Sequence, residues 1–127
     1  MWVETSMAQD DERMDAQTFG STMGNAVWLM TMDKAYRDRQ IREVEAIVAT
    51  PILLRQFKLY SKDNQPVAFL TWASLSEDAK ARLEAGETLG LEDWRSGKNL
   101  TVVDVVSPFN PAEVFRQRFW KAVQADA

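Results

Sequence analysis

The 127-residue chain predicts one domain of the α+β class, a sheet with flanking helices. Three stretches carry that reading. Leu100–Val106 is a short apolar run, rich in valine, with Asp104 at its centre, and reads as a buried strand. Leu53–Tyr60 and Val67–Ala73 read as two further strands, joined as a hairpin through a turn at Ser61-Lys62-Asp63-Asn64-Gln65, with Pro66 opening the second. Between and around them lie segments with helical periodicity and helical stop signals.

Taken in order, Met1–Gly24 is polar, acidic and rich in methionine, with Gly20 and Gly24, and reads as a flexible arm ahead of a domain spanning 25–127. Ala26-Val27-Trp28-Leu29-Met30 is an apolar patch, either a first helical turn or an extended segment that docks on the core. Asp33 suits the cap of a helix to Val48, with Ile41, Val44, Ile47 and Val48 on one face and Thr50-Pro51 as its end. After the hairpin, Ser74-Leu75-Ser76-Glu77 has the pattern of a capping box, and a short helix follows to about Ala85, stopped by Gly86. Glu87–Gly97 reads as loop anchored by Trp94. Asn110-Pro111 starts a last helix reaching about Gln124, with Phe115, Phe119, Ala122 and Val123 on its apolar face.

Composition narrows the chemistry. The hydrophobic share is 46% and the charged share 27%, as in an ordinary soluble domain. A net charge of −4 disfavours general nucleic-acid binding. There are no cysteines and no histidines. Disulfides, thiol nucleophiles, thiolate metal sites and the usual serine–histidine machinery are therefore excluded, and no loop has the spacing of a calcium site. No apolar run approaches the roughly 20 residues that cross a bilayer, and the acidic start does not resemble a secretory signal, so the expected location is the cytoplasm.

Asp104 is the first residue to question, because a carboxylate inside an apolar strand is costly unless it is paired or put to use. It reads either as a structural acid satisfied by backbone or arginine, or as a working acid. Arg116, Arg118 and Lys121 give the last helix a basic side, which is a solvated face or a docking surface.

Four blocks add a resemblance: Ala26-Val27-Trp28-Leu29, Pro66-Val67-Ala68 through Trp72-Ala73-Ser74-Leu75-Ser76, Glu92-Asp93-Trp94-Arg95-Ser96-Gly97, and Val103-Asp104-Val105-Val106-Ser107-Pro108-Phe109. With these the chain resembles the RTX-toxin-activating lysine acyltransferases, the hemolysin-activating family, from about Asn25 to Trp120. The resemblance implies an N-acetyltransferase-like (GNAT-like), mainly antiparallel sheet. It also implies a fatty acyl group moved from acyl carrier protein to lysines of an RTX-type toxin, with no bound cofactor or metal. The family's catalytic Asp falls on Asp104. Its catalytic His falls on Tyr36, a phenol that is mostly protonated at neutral pH and a poor base.

Two departures follow. Losing the imidazole makes a pseudoenzyme, kept as a protein-binding or structural subunit, the leading expectation, with an active acyltransferase as the alternative. Relative to the family the chain is shortened at its C-terminus, which implies an exposed sheet edge open to a second copy, as in a homodimer, or to another protein. In the active case Arg37, Arg116 and Arg118 would meet an acidic carrier protein. Trp72 and Trp94 read equally as walls of an acyl channel and as core.

Overall fold

The computed structural model describes residues 3–5, as backbone, and 14–126. The elements are β1 (Val3–Thr5), α1 (Ala16–Met32), α2 (Thr50–Leu53), β2 (Phe57–Lys62), β3 (Gln65–Leu75), α3 (Glu77–Glu84), β4 (Asn99–Val106) and α4 (Ala112–Ala125). A 3₁₀ turn at Ile41–Glu43 and a π-type turn at Glu45–Ala49 precede α2, and a second 3₁₀ turn spans Leu91–Trp94. The four strands lie in the order β1-β2-β3-β4, each neighbouring pair antiparallel. The mixed helix-and-sheet class predicted from the sequence is what the chain adopts.

Strand alternation divides the core into two faces. Phe57, Leu59 and Phe69 turn toward α1 and α2, where they meet Ala26, Leu29, Ile47, Val48 and Ile52. Tyr60, Ala68, Leu70 and Val105 turn the other way, under Phe115 and Phe119 of α4. Farther along β3, Ala73 and Leu75 continue the first face and pack with Ala79, Leu89 and Trp94.

The segment read as a flexible arm contains half of a helix. Asp15 caps α1 by accepting from the Thr18 N–H at 2.7 Å. Phe19, Met23, Ala26 and Met30 then fall on the buried stripe, while Gly20 and Gly24 lie on the exposed side. Two glycines in a polar stretch looked like breakers; the packing of that stripe outweighs their propensity cost of about 1 kcal/mol each. The remainder of the arm, apart from the β1 backbone, lies outside the described residues.

The helix expected from Asp33 to Val48 is also different. Asp33 ends α1 rather than starting a helix: its Oδ1 accepts from Ala35 N–H at 2.9 Å and its Oδ2 from Ser107 N–H at 2.7 Å. The chain turns there, then winds through the two short turns into α2. Pro51 does not end the helical run; it sits in the first turn of α2, where its missing N–H costs nothing, and the turn ahead of it is widened. Leu53 consequently belongs to α2, not to a strand, and β2 begins at Phe57. The hairpin turn narrows to Asp63-Asn64, with φ of 53° and 65°, the two positive values a two-residue hairpin loop needs. The cap of α3 is Ser76, which accepts from Ala79 N–H at 3.0 Å, two residues beyond the expected Ser74. Gly86 stops that segment at φ 91°, as its position predicted. Pro111 occupies the cap position of α4, one place earlier than expected.

Candidate active site

β4 carries the acid, and an irregularity in its pairing aims it. Thr71 pairs with Asp104 but Trp72 pairs with Val102, so Val103 is an extra residue in β4. In an unbroken strand Val103 and Asp104 would point to opposite faces. The bulge lets both line the same groove. The Asp104 N–H donates to Thr71 Oγ1 at 3.2 Å, where a ladder bond is disturbed.

The Tyr36 hydroxyl donates to Asp104 Oδ1 at 2.8 Å, joining residues 68 apart in the chain. Asp33 holds this arrangement, because its carboxylate ties the turn carrying Tyr36 to Ser107, three positions beyond Asp104. The Arg39 guanidinium stands 5.1 Å from the centre of the Tyr36 ring, a cation–π distance, and reaches Glu43 at 3.6 Å. Burial, the Asp104 charge and the hydrogen bond to it push the phenol far above its ordinary value. Tyr36 is therefore a neutral donor at physiological pH. Burial also raises Asp104 above the ordinary carboxylate range, opposed by the Tyr36 hydrogen bond and by the Arg39 charge.

The groove has a volume of about 790 Å³. One wall is Ala46, Ile47, Thr50 and Leu53; the other is the loop from Gly86 to Leu91, with Leu83, and Trp94 and Val103 lie between. Arg39, Arg42, Glu43, Glu45 and Asp104 supply charge. Leu53 and Leu91 are 64% and 66% exposed, so both walls offer uncovered apolar surface.

The two tryptophans part company. Trp94 is 1% exposed and lines the groove, with no hydrogen-bond partner for its Nε1 among the described residues. Trp72 lies on the opposite face of the sheet, its ring 6.3 Å from that of Phe119, and takes no part in the groove. Arg37 is exposed on the turn that carries Tyr36. Arg116, 3.8 Å from Glu113, and Arg118 belong to α4 on the far face and are not brought to Asp104. Among the described residues no group of three acids could hold a metal.

The Glu92–Gly97 block is accounted for by its contacts. Asp93 accepts from Arg82 and from Gly90 N–H. Arg95 donates to Gln56 Oε1 at 2.6 Å, and Gln56 Nε2 bonds the carbonyls of Trp72 and Trp94 at 3.0 and 3.1 Å. Ser96 Oγ accepts from Ser76 N–H, and Gly97 N–H donates to Ser74 O. The blocks that carry the resemblance thus meet in pairs: this one against Ser74–Ser76, and Trp28 against Phe109 at 6.1 Å. Gln56 and Arg82 were not singled out from sequence, since a lone polar residue before a strand and a helix-surface arginine carry no local signal. A Cβ on Gly97 would stand 2.6 Å from Leu75 O and from the Ser76 backbone. Gly97→Ala should therefore cost on the order of 1–3 kcal/mol, read as a lower midpoint in urea unfolding; an unchanged midpoint would show that the loop yields freely.

Residues 15–126 match the RTX toxin acyltransferase family. The chain belongs to that family. Relatives include a protein-lysine myristoyltransferase of Kingella kingae, 25% identical over 84% of this chain and 70% of its own length. An RTX-II toxin-activating lysine-acyltransferase of Actinobacillus pleuropneumoniae is 26% identical over 78% of the chain and 65% of its own length. A protein-lysine myristoyltransferase of Escherichia coli is 31% identical over 68% of the chain, which spans 51% of it. Within this RTX toxin acyltransferase family chain, Tyr36 and Asp104 are the hydrogen-bonded pair at the groove, and no helix described is long and apolar enough to cross a membrane.

Proposed function

We propose that the protein is a protein-lysine acyltransferase in which Asp104 is the general base and Tyr36 a hydrogen-bond donor that holds it. The carrying observation is the 2.8 Å Tyr36–Asp104 bond beside a groove with apolar walls. A volume of about 790 Å³ falls in the range of roughly 300–1,000 Å³ common for ligand pockets, and leucine, isoleucine and tryptophan walls suit an acyl chain. The antiparallel sheet between helices, with the acid on a bulged strand, supports an N-acetyltransferase-like arrangement.

The chemistry requires a lysine amine free of its extra proton, since an ammonium group near pKa 10 (about 10.4) has no lone pair to attack with. Asp104 takes a proton from that nitrogen. The free amine attacks the thioester carbonyl of an acylated carrier protein; as the C–N bond forms and the C–S bond breaks, Asp104 passes the proton shed by the nitrogen to the departing sulfur, giving the amide, the carrier thiol and a restored carboxylate. An RTX-type protein in the cytoplasm is the proposed acceptor. A carboxylate raised by burial is a better base than an ordinary one, and a neutral phenol beside it stabilises negative charge without competing for the proton.

A second reading, a pseudoenzyme kept as a protein-binding subunit, rests on the absence of any histidine. Intact-mass measurement of a toxin fragment incubated with acyl-loaded carrier protein separates the two. The wild-type chain should add one acyl mass per modified lysine. Tyr36→Phe keeps the ring and the Arg39 contact but loses the hydroxyl, and should slow transfer by about tenfold, the worth of one hydrogen bond to a charged group. Tyr36→His should speed it. No mass gain from wild type, where a histidine-bearing relative gives one, would leave the binding role.

A further inference from the structure

The loop from Gly86 to Leu91 forms one whole wall of the groove, yet it has no regular secondary structure of its own before the 3₁₀ turn at Leu91. Its position depends on what ties it down. Asp93 is 6% exposed, and its carboxylate gathers three donors: Arg82 Nη2 to Oδ1 at 2.8 Å, Arg82 Nη1 to Oδ2 at 3.2 Å, and Gly90 N–H to Oδ2 at 2.8 Å. Arg82 is itself oriented by a further bond from Nε to Asp78 at 2.9 Å. One carboxylate therefore joins α3 to the loop through a two-pronged guanidinium pair, the geometry that fixes orientation as well as distance.

The wall opposite is built on α2 and the turn before it, and is anchored separately in the α1 core through Ile47. Leu53 and Leu91 remain largely exposed, while Leu54, beside Leu53, packs against the cluster that holds Leu89 and Trp94, and its carbonyl accepts from Arg95. The separation of the walls is thus set from the back, where Leu54 holds the α2 side and Asp93 fixes the loop side, rather than by contact between Leu53 and Leu91.

We propose that Arg82 and Asp93 are positioning residues that set the width of the groove and so select the length of acyl chain it accepts. This rests on the acyl-binding reading given above. Asp93→Asn keeps an acceptor for Gly90 but removes the charge that holds Arg82, so the loop is released while the apolar lining is unchanged. Arg82→Lys keeps the charge and loses the fork.

The test titrates the full chain with N-acetylcysteamine thioesters of saturated acids from octanoyl to palmitoyl, read by tryptophan fluorescence, in wild type and both variants. Wild type should show a preferred length, with affinity falling by about tenfold or more once the chain outgrows the groove. Asp93→Asn should flatten that profile to within about threefold or move it to longer chains, and Arg82→Lys should do the same more weakly. A folded Asp93→Asn with the wild-type profile would overturn the proposal, and so would an equal loss at every length, which is what general loosening gives. If Asp93→Asn does not fold, Arg82→Lys decides by the same criterion. If wild type binds no thioester, the acyl-groove reading itself fails, whereas a selective wild type with unaltered variants removes only the role of the pair.

Discussion

Asp104→Asn should reduce acyl transfer by about 10² to 10⁴-fold, the usual contribution of a general base, while leaving the protein folded and at neutral pH at least as stable. The substitution is nearly isosteric, and an amide oxygen still accepts from the Tyr36 hydroxyl, which donates to Oδ1 in the native chain. What is lost is the ability to take a proton. Stability moves in the opposite direction because burial raises the carboxyl above its ordinary value in the folded state. A group so raised binds its proton more tightly folded than unfolded. Its contribution is complete below the unfolded value of about 3.9 and is lost as pH rises through the folded value. The asparagine variant lacks this dependence. The melting temperature of the variant minus that of wild type should therefore grow from low pH toward neutrality, and the acidic limb of the wild-type rate profile should sit above the ordinary carboxylate range. Full activity in the variant would remove Asp104 from the chemistry; a large loss of stability at neutral pH would make it a structural acid.

Trp94→Ala should cost about 3–5 kcal/mol, as for other large aromatics deleted from a core, and lower the melting temperature by roughly 10–20 °C. Trp94 is 1% exposed and packs against Ala73, Leu75, Ala79 and Leu89, which join β3, α3 and the groove loop. No small residue among these can expand to fill the space. Trp72→Ala should cost less, because that ring is only half-buried and rests on Phe119. Equal losses at the two positions, measured by urea unfolding, would contradict the division of roles seen in the fold.

The readings that succeeded were local ones. The Asp63-Asn64 turn, the stop at Gly86 and the valine-rich β4 each rest on residues within a few positions of one another, where backbone preference and short hydrogen bonds act without help. The readings that failed were those in which packing opposed propensity. Gly20 and Gly24 weaken α1 locally, yet Phe19, Met23 and Met30 find the sheet. Asp33 looked like the start of a helix because a short acid caps so readily; its partner Ser107 lies 74 residues away. Asp104 was conspicuous at once, as a charge in an apolar strand, and Tyr36 was reached through the family resemblance rather than through its own surroundings.

The sequence by itself determined the class of the fold, the hairpin, the strand that bears Asp104 and the exclusion of histidine and cysteine chemistry, since composition and near-neighbour patterns suffice for these. Only the tertiary structure decided that a bulge at Val103 turns Asp104 into the groove, that Trp94 lines it while Trp72 lies on the other face, and that Arg82 and Asp93 hold its wall. The physical reason is the strand period of two. A single extra residue in β4 exchanges the faces of everything beyond it, and where that residue is inserted depends on pairing with β3, which no local stretch of chain encodes.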